Sequence, residues 1–201
     1  MEQLIALLKF FSPLSAELEA HLRGIIKESH FKKKQLLLEA GQVCNFIMYV
    51  ESGLTRSFSI KQGKPATNWF MEEGNIIISV VSFLRQKAAK ESVEALEACR
   101  CWGILHAELQ ETYRLFPEFD HHARLILEEY YCRSEERQES KQMGKPYDKY
   151  VYMMTTQPSL IQRVTRPQLA SYLGFSVSTL AACKRKYAET AKKKQPPKKR
   201  P

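Results

Sequence analysis

The chain is 201 residues long, with 44% hydrophobic and 10% aromatic residues, enough apolar side chain to close one large core, or a core domain with a smaller one appended. Its net charge of +9 is unevenly placed: residues 184–201 carry nine basic groups and one acid, and the 183 residues before them carry 22 basic and 21 acidic groups, so only the C-terminal end is expected to meet a polyanion. The longest uncharged stretch, residues 150–162, is thirteen residues, polar and broken by Pro158, which leaves no candidate for a membrane-spanning helix.

Leu4, Leu7, Leu8 and Phe11, then Leu14, Leu18, Leu22, Ile25 and Ile26, recur at helical spacing, predicting helices over residues 1–29 with Ser12-Pro13 opening the second. The start, MEQLIALLKFFSPLS, lacks a basic beginning and a small-residue cleavage site. It reads as an amphipathic helix rather than an export signal, and a cytoplasmic location is expected.

From Phe31 the character changes. The runs QLLLEA, NFIMYVE, LTRSFSI, TNWFM and NIIISV are punctuated by Gly41, Gly53, Gly63 and Gly74, which predicts antiparallel strands joined by tight turns in a sandwich or rolled sheet. A further strand pair fits ESVEALEACRCWGIL, where Val93, Ala95, Cys99 and Cys101 alternate with more polar neighbours. The five cysteines, Cys44, Cys99, Cys101, Cys132 and Cys183, are odd in number and contain no C-x-x-C, the usage of reduced thiols in a cytosolic protein. Cys99 and Cys101 share one strand face, but no further ligand pair accompanies them, and no metal or cofactor is expected.

Helical patterning resumes at His106, and Pro117 suits the first turn of a long helix. Adjacent His121 and His122 are expected on its solvated face. Phe116, Phe119, Ala123, Ile126 and Tyr130 form a narrow seam at spacings of three and four. Such a seam predicts pairing with a second copy; a helix packed on its own sheet needs only the same residues. KQMGKPYDK reads as a joint, and AKKKQPPKKRP as a disordered basic tail.

Between them lies RPQLASYLGFSVSTLAAC. Thr165 and Gln168 fit a capping box that opens a short helix. Leu169 and Leu173 face inward, and Ala170 sits where a second helix would cross. Gly174 supplies the positive φ of the turn, Ser176 caps the second helix, and Leu180 and Cys183 face in. This is helix-turn-helix spacing. It predicts that Ser176, Ser178, Thr179 and Ala182 meet base edges of double-stranded DNA and that Lys184, Arg185 and Lys186 reach phosphates, with Thr165 and Gln168 counted among the DNA-facing residues. A plain helical hairpin is the alternative reading.

The whole layout resembles the Crp/Fnr family of bacterial transcriptional regulators, most clearly in YVESGLTRSFS, EEGNIIISVVSFL, VEALEAC and RVTRPQLASYLGFSVSTL, and it is most similar to the short branch without a β-hairpin wing. The resemblance implies an α+β fold. A β-roll of the cyclic-nucleotide-binding kind (a double-stranded β-helix or jelly roll) with N-terminal helices takes residues 1–114 and a dimerisation helix takes 115–143. A helix-turn-helix domain takes 144–190, and a tail 191–201. It further implies a homodimer in which a signal at the roll alters the spacing of two DNA-reading helices.

Two departures qualify that implication. The family's phosphate cassette, Gly-Glu-x-x-Gly-Glu-Leu followed by Arg-Ser-Ala, falls on GNIIISV and on Ala89-Lys90: Gly74 matches, while Ile78 and Ser79 replace the inner glycine and a glutamate, and Ala89 replaces the arginine. Lys87 or Lys90 offers only a point charge without the guanidinium fork. Cyclic AMP is therefore not expected to bind. The candidate pocket (Gly74, Ile76, Ile78, Ser79, Val80, Lys87 and Lys90) is expected to favour a more apolar effector of unknown identity. The cysteine cluster of the iron-sulfur members is missing, since the first cysteine is Cys44. On the DNA face, Ala181 and Ala182 replace the family's Ser-Arg, so base selectivity rests on Ser178, Thr179 and Arg185. Those alanines also motivate a second reading, a small-molecule-binding or scaffold protein that has lost DNA specificity. No nucleophile, acid-base or phosphate-cradling pattern points to an enzyme.

Overall fold

The computed structural model describes residues 1–194. Helix α1 (Glu2–Phe11) buries Leu4, Ile5 and Leu8, and α2 (Ala16–Ile25) buries Leu18 and Leu22. The second helix is opened by Ser15, whose hydroxyl accepts from the Leu18 backbone N–H at 3.1 Å; Ser12, expected to open it, instead ends α1 in extended backbone.

Eight strands follow: β1 (Lys27–Phe31), β2 (Leu36–Leu38), β3 (Phe46–Ser52), β4 (Thr55–Lys61), β5 (Lys64–Met71), β6 (Ile76–Ile77), β7 (Ser92–Ala95) and β8 (Cys99–Leu105). They form two four-stranded antiparallel sheets, β1-β8-β3-β6 and β2-β7-β4-β5, the jelly roll expected from the sequence. Strand β1 was not expected, because an edge strand with the sequence KESHF carries no apolar run. NIIISV was expected to be one strand, but β6 is two residues long and helix α3 (Val80–Arg85) takes over. The carbonyl of Ser79 accepts from the Phe83 N–H at 2.8 Å, and Gln86 ends the helix at φ 48°.

Gly53 makes the β3–β4 turn possible. Its φ is +101°, and a Cβ there would lie 2.5 Å from the Ala98 carbonyl oxygen, so both the turn and the approach of the β7–β8 connection need a glycine. Along β7 and β8 the inward series Val93, Ala95, Cys99 and Cys101 is buried with Val50, Ile77 and Leu38 in one core. Helix α4 (His106–Leu115) adds Leu109 to that core, and α5 (Phe119–Gln142) adds Phe119.

The chain divides into two compact units, Met1–Arg133 and Ser134 onward, so the last residues of α5 count with the second. That unit contains α6 (Pro146–Thr156), α7 (Pro158–Arg163), α8 (Arg166–Leu173) and α9 (Val177–Lys194). Its interior is Tyr150, Met153, Leu160, Leu169, Ala170, Leu173, Leu180 and Cys183. Helix α9 runs past residue 190 into the stretch expected to be a tail; residues 195–201 of that stretch lie outside the described residues. Among the described residues no helix is long and apolar enough to cross a membrane.

Candidate nucleic-acid interface and roll interior

Helix α8 begins as the sequence requires. The Thr165 hydroxyl accepts from the Gln168 N–H at 3.4 Å, and the Gln168 side chain accepts from the Thr165 N–H at 2.9 Å, two orphan donors satisfied reciprocally. This occupies the Gln168 carbonyl oxygen and the Thr165 hydroxyl in capping. Gly174 closes α8 in the left-handed region at φ 78°, where a side chain would be strained. The Ser176 hydroxyl then accepts from the Thr179 N–H at 3.1 Å at the start of α9. It also lies 2.8 Å from the Ser178 hydroxyl and 2.9 Å from that of Thr179.

Ala170 is 2% exposed beside buried Leu180 and Cys183, so the two helices cross at a residue too small to hold them apart. The opposite stripe of α9 is solvent-exposed: Ser178, Ala181, Ala182 and Arg185 recur at i, i+3, i+4 and i+7, and Lys184 is exposed beside them. Two expected contacts are modified and one residue is added. Thr179 is half-buried with its hydroxyl on Ser176, Lys186 places its ammonium 4.3 Å over the Tyr147 ring of α6, and exposed Ala181 belongs to the stripe although the sequence reading did not count it.

In the first unit the expected dimer seam turns toward its own roll. Phe119 is 5% exposed and has no surface left for a second copy. Phe116 packs on His21 at a centroid distance of 4.9 Å, Tyr130 stacks on Trp69 of β5, and Ala123 and Ile126 line an apolar cavity. The apolar side chains that α5 leaves in solvent are Leu127 and Tyr131, one turn apart. His122, expected on a solvated face, is 2% exposed, with Nε2 3.0 Å from the Ser12 carbonyl oxygen and Nδ1 3.3 Å from that of Glu118.

The expected ligand residues are dispersed. Ile76 and Ile78 line the cavity, but Gly74, Lys87 and Lys90 are exposed, Val80 is half-buried beyond the lining, and Ser79 is buried as the cap residue of α3. Ala89, where the family carries its arginine, is buried, its N–H on the Gln42 carbonyl and its own carbonyl holding the Gly41 N–H, both at 2.8 Å. The arginine that the roll does bury is Arg56 on β4, held by Glu94 at 2.5 Å and by the Thr67 hydroxyl at 3.1 Å, with its guanidinium 4.7 Å from the Phe58 ring. Nothing in the sequence distinguished this pair from surface charge. Only the register that puts Arg56 opposite Glu94 does so.

Cys99 and Cys101, on the same face of β8, are buried thiols. Burial, reinforced by neighbouring Cys99, pushes Cys101 up to about 12, and burial likewise raises Cys99.

Residues 28–114 match the cyclic nucleotide-binding domain family. No curated protein matches the chain by sequence. Among solved structures it is similar to the c-di-GMP responsive global regulator CLP of Xanthomonas campestris, with a TM-score of 0.67 and 13% identity over 88% of this chain and 93% of that one. FixK2 from Bradyrhizobium japonicum also gives a TM-score of 0.67, with 11% identity over 83% and 86% of the two chains. The catabolite activator protein of Thermus thermophilus gives 0.53, with 16% identity over 90% and 87%. At these identities the likeness is one of fold, an antiparallel jelly roll with flanking helices.

Proposed function

We propose that this chain is a homodimeric, DNA-binding transcriptional regulator of the Crp/Fnr type, whose roll senses an effector other than cyclic AMP. The observation that carries the reading is the α8–α9 pair: a capped first helix, a left-handed glycine turn, and a second helix with an exposed stripe of Ser178, Ala181 and Ala182 leading to Arg185. A short, nearly flat face of this kind fits a major groove, with Lys184 and Arg185 at phosphate level. Similarity of fold to a catabolite activator protein and a global regulator supports it.

The effector reading rests on the lost phosphate cradle. Ala89 stands where the fork would be, and Arg56, the arginine the roll buries, is paired with Glu94 and Thr67. Self-association is assigned to the outer face of α5, at Tyr131 and the exposed edge of Leu127, because the inner stripe is taken by the roll. The test is selection of the purified chain against a random duplex pool: a regulator enriches a sequence with two-fold symmetry, and a scaffold that has lost DNA specificity enriches none.

A further inference from the structure

The first unit holds a cavity of about 150 Å³ walled by α1, α2, α3, α4, α5 and the β1-β8-β3-β6 sheet. Its lining is apolar apart from the polar tips of Tyr49, Trp102 and Tyr113. Leu22, Ile47, Phe83, Ile104, Phe119 and Ile126 typify it, and no charged side chain is among the lining residues. Leu84 of α3 and Leu127 of α5 both line the cavity and are more than half exposed, so the mouth opens between those two helices.

We propose that this cavity is a binding site for a small uncharged aromatic molecule of single-ring size. Size gives the first reason: an apolar cavity of roughly this volume stays free of water and accepts a benzene-sized guest. Chemistry gives the second. A carboxylate or phosphate would be stripped of water with nothing charged to receive it, at a cost that forbids entry, whereas a ring meets the edges and faces of Phe83, Trp102, Tyr113 and Phe119. The site is distinct from the cassette positions Gly74, Ser79, Ala89 and Lys90, none of which lines it.

A guest would touch α5 at Ala123, Ile126 and Leu127, on the stretch that carries the exposed Leu127 and Tyr131. As an effector site the proposal rests on the regulator reading above. Binding itself does not, and the two are measured separately.

The experiment is titration of the full chain with toluene, followed by calorimetry and by intermolecular nuclear Overhauser contacts, with phenylacetate and cyclic AMP as charged controls. The expected result is saturable binding of one equivalent of toluene, contacts from the toluene methyl group to Phe119 and Ile126, and at least tenfold weaker binding of both controls. Ala123→Phe, which fills the cavity from α5, should weaken toluene at least tenfold without lowering the melting temperature. If that variant fails to fold, the contacts in the wild-type chain still locate the guest. No saturable binding up to the solubility of toluene, contacts elsewhere, equal binding of phenylacetate, or unchanged affinity in a folded Ala123→Phe would each overturn the proposal. A chain that binds toluene but enriches no DNA sequence would retain the site and lose the regulator reading.

Discussion

Trp69 of β5 and Tyr130 of α5 stack with ring centroids 5.6 Å apart and planes 13° from parallel. This contact, between a strand and the last turns of the helix in the first unit, fastens α5 to the roll. Tyr130→Ala removes both the stack and part of the buried area, so a loss of about 2 kcal/mol is expected in urea unfolding followed by circular dichroism. The Trp69 emission should also shift to the red. A loss below about 0.5 kcal/mol would mean that the helix is held elsewhere.

The two faces of α5 should respond differently to charge. Tyr131→Asp alters a side chain that stands in solvent and lines no cavity, and the expected outcome is a monomer in sedimentation equilibrium with an unchanged melting temperature. Ile126→Asp buries an unpaired carboxylate in the apolar cavity lining, and should unfold the first unit rather than separate two copies. A monomeric, fully stable Ile126→Asp protein would reverse the assignment of the faces.

Arg56 and Glu94 form a pair in which neither partner is more than one-sixth exposed. Glu94→Ala leaves a buried guanidinium with the Thr67 hydroxyl and the Phe58 ring but no counter-charge, and a destabilisation of about 3 kcal/mol is expected; replacing both partners by leucine should recover most of it. Buried Ala89 at the place of the cassette arginine predicts no measurable heat with cyclic AMP in the wild type. Micromolar binding of that nucleotide would contradict the reading of the roll.

Much of this was legible in the sequence, and where it was not the reason is physical. The β-roll showed because its strands are short apolar runs separated by glycines, and the α8–α9 turn because capping and a left-handed glycine leave local signatures. Strand β1 was hidden because an edge strand tolerates polar residues on both sides. The inner and outer stripes of α5 could not be told apart, since an apolar stripe at spacings of three and four satisfies a partner helix and a sheet equally. His122 read as surface until the Ser12 carbonyl, more than a hundred residues away, was found against its ring. The Arg56–Glu94 pair and the cavity depend on register and on the convergence of five helices with a sheet, neither of which composition records.

Burial also sorts the thiols. Cys132 is exposed, and Cys44, Cys99, Cys101 and Cys183 are buried, so a disulfide reagent at pH 8 should modify Cys132 rapidly and the others at least about a hundredfold more slowly. The raised values carry a pH consequence. Cys101 keeps its proton to about 12 in the fold against about 9 when unfolded; above 9 the unfolded chain holds fewer protons than the native one, so stability should fall with rising pH across that window. A flat denaturation midpoint from pH 9 to 11 would contradict it.

The central claim is that α9 reads DNA, and the most direct measurement is fluorescence anisotropy of the full chain on a selected duplex and its scrambled counterpart over a range of salt. The account predicts at least tenfold preference for the selected duplex and an affinity that falls steeply with salt. Arg185→Ala should reduce the log-log slope by about 0.9 on both duplexes. Ser178→Ala should narrow the preference with the slope unchanged, because an uncharged side chain at the helix start displaces no counterion. Equal affinity for the two duplexes, with neither substitution altering preference or slope, would contradict the account.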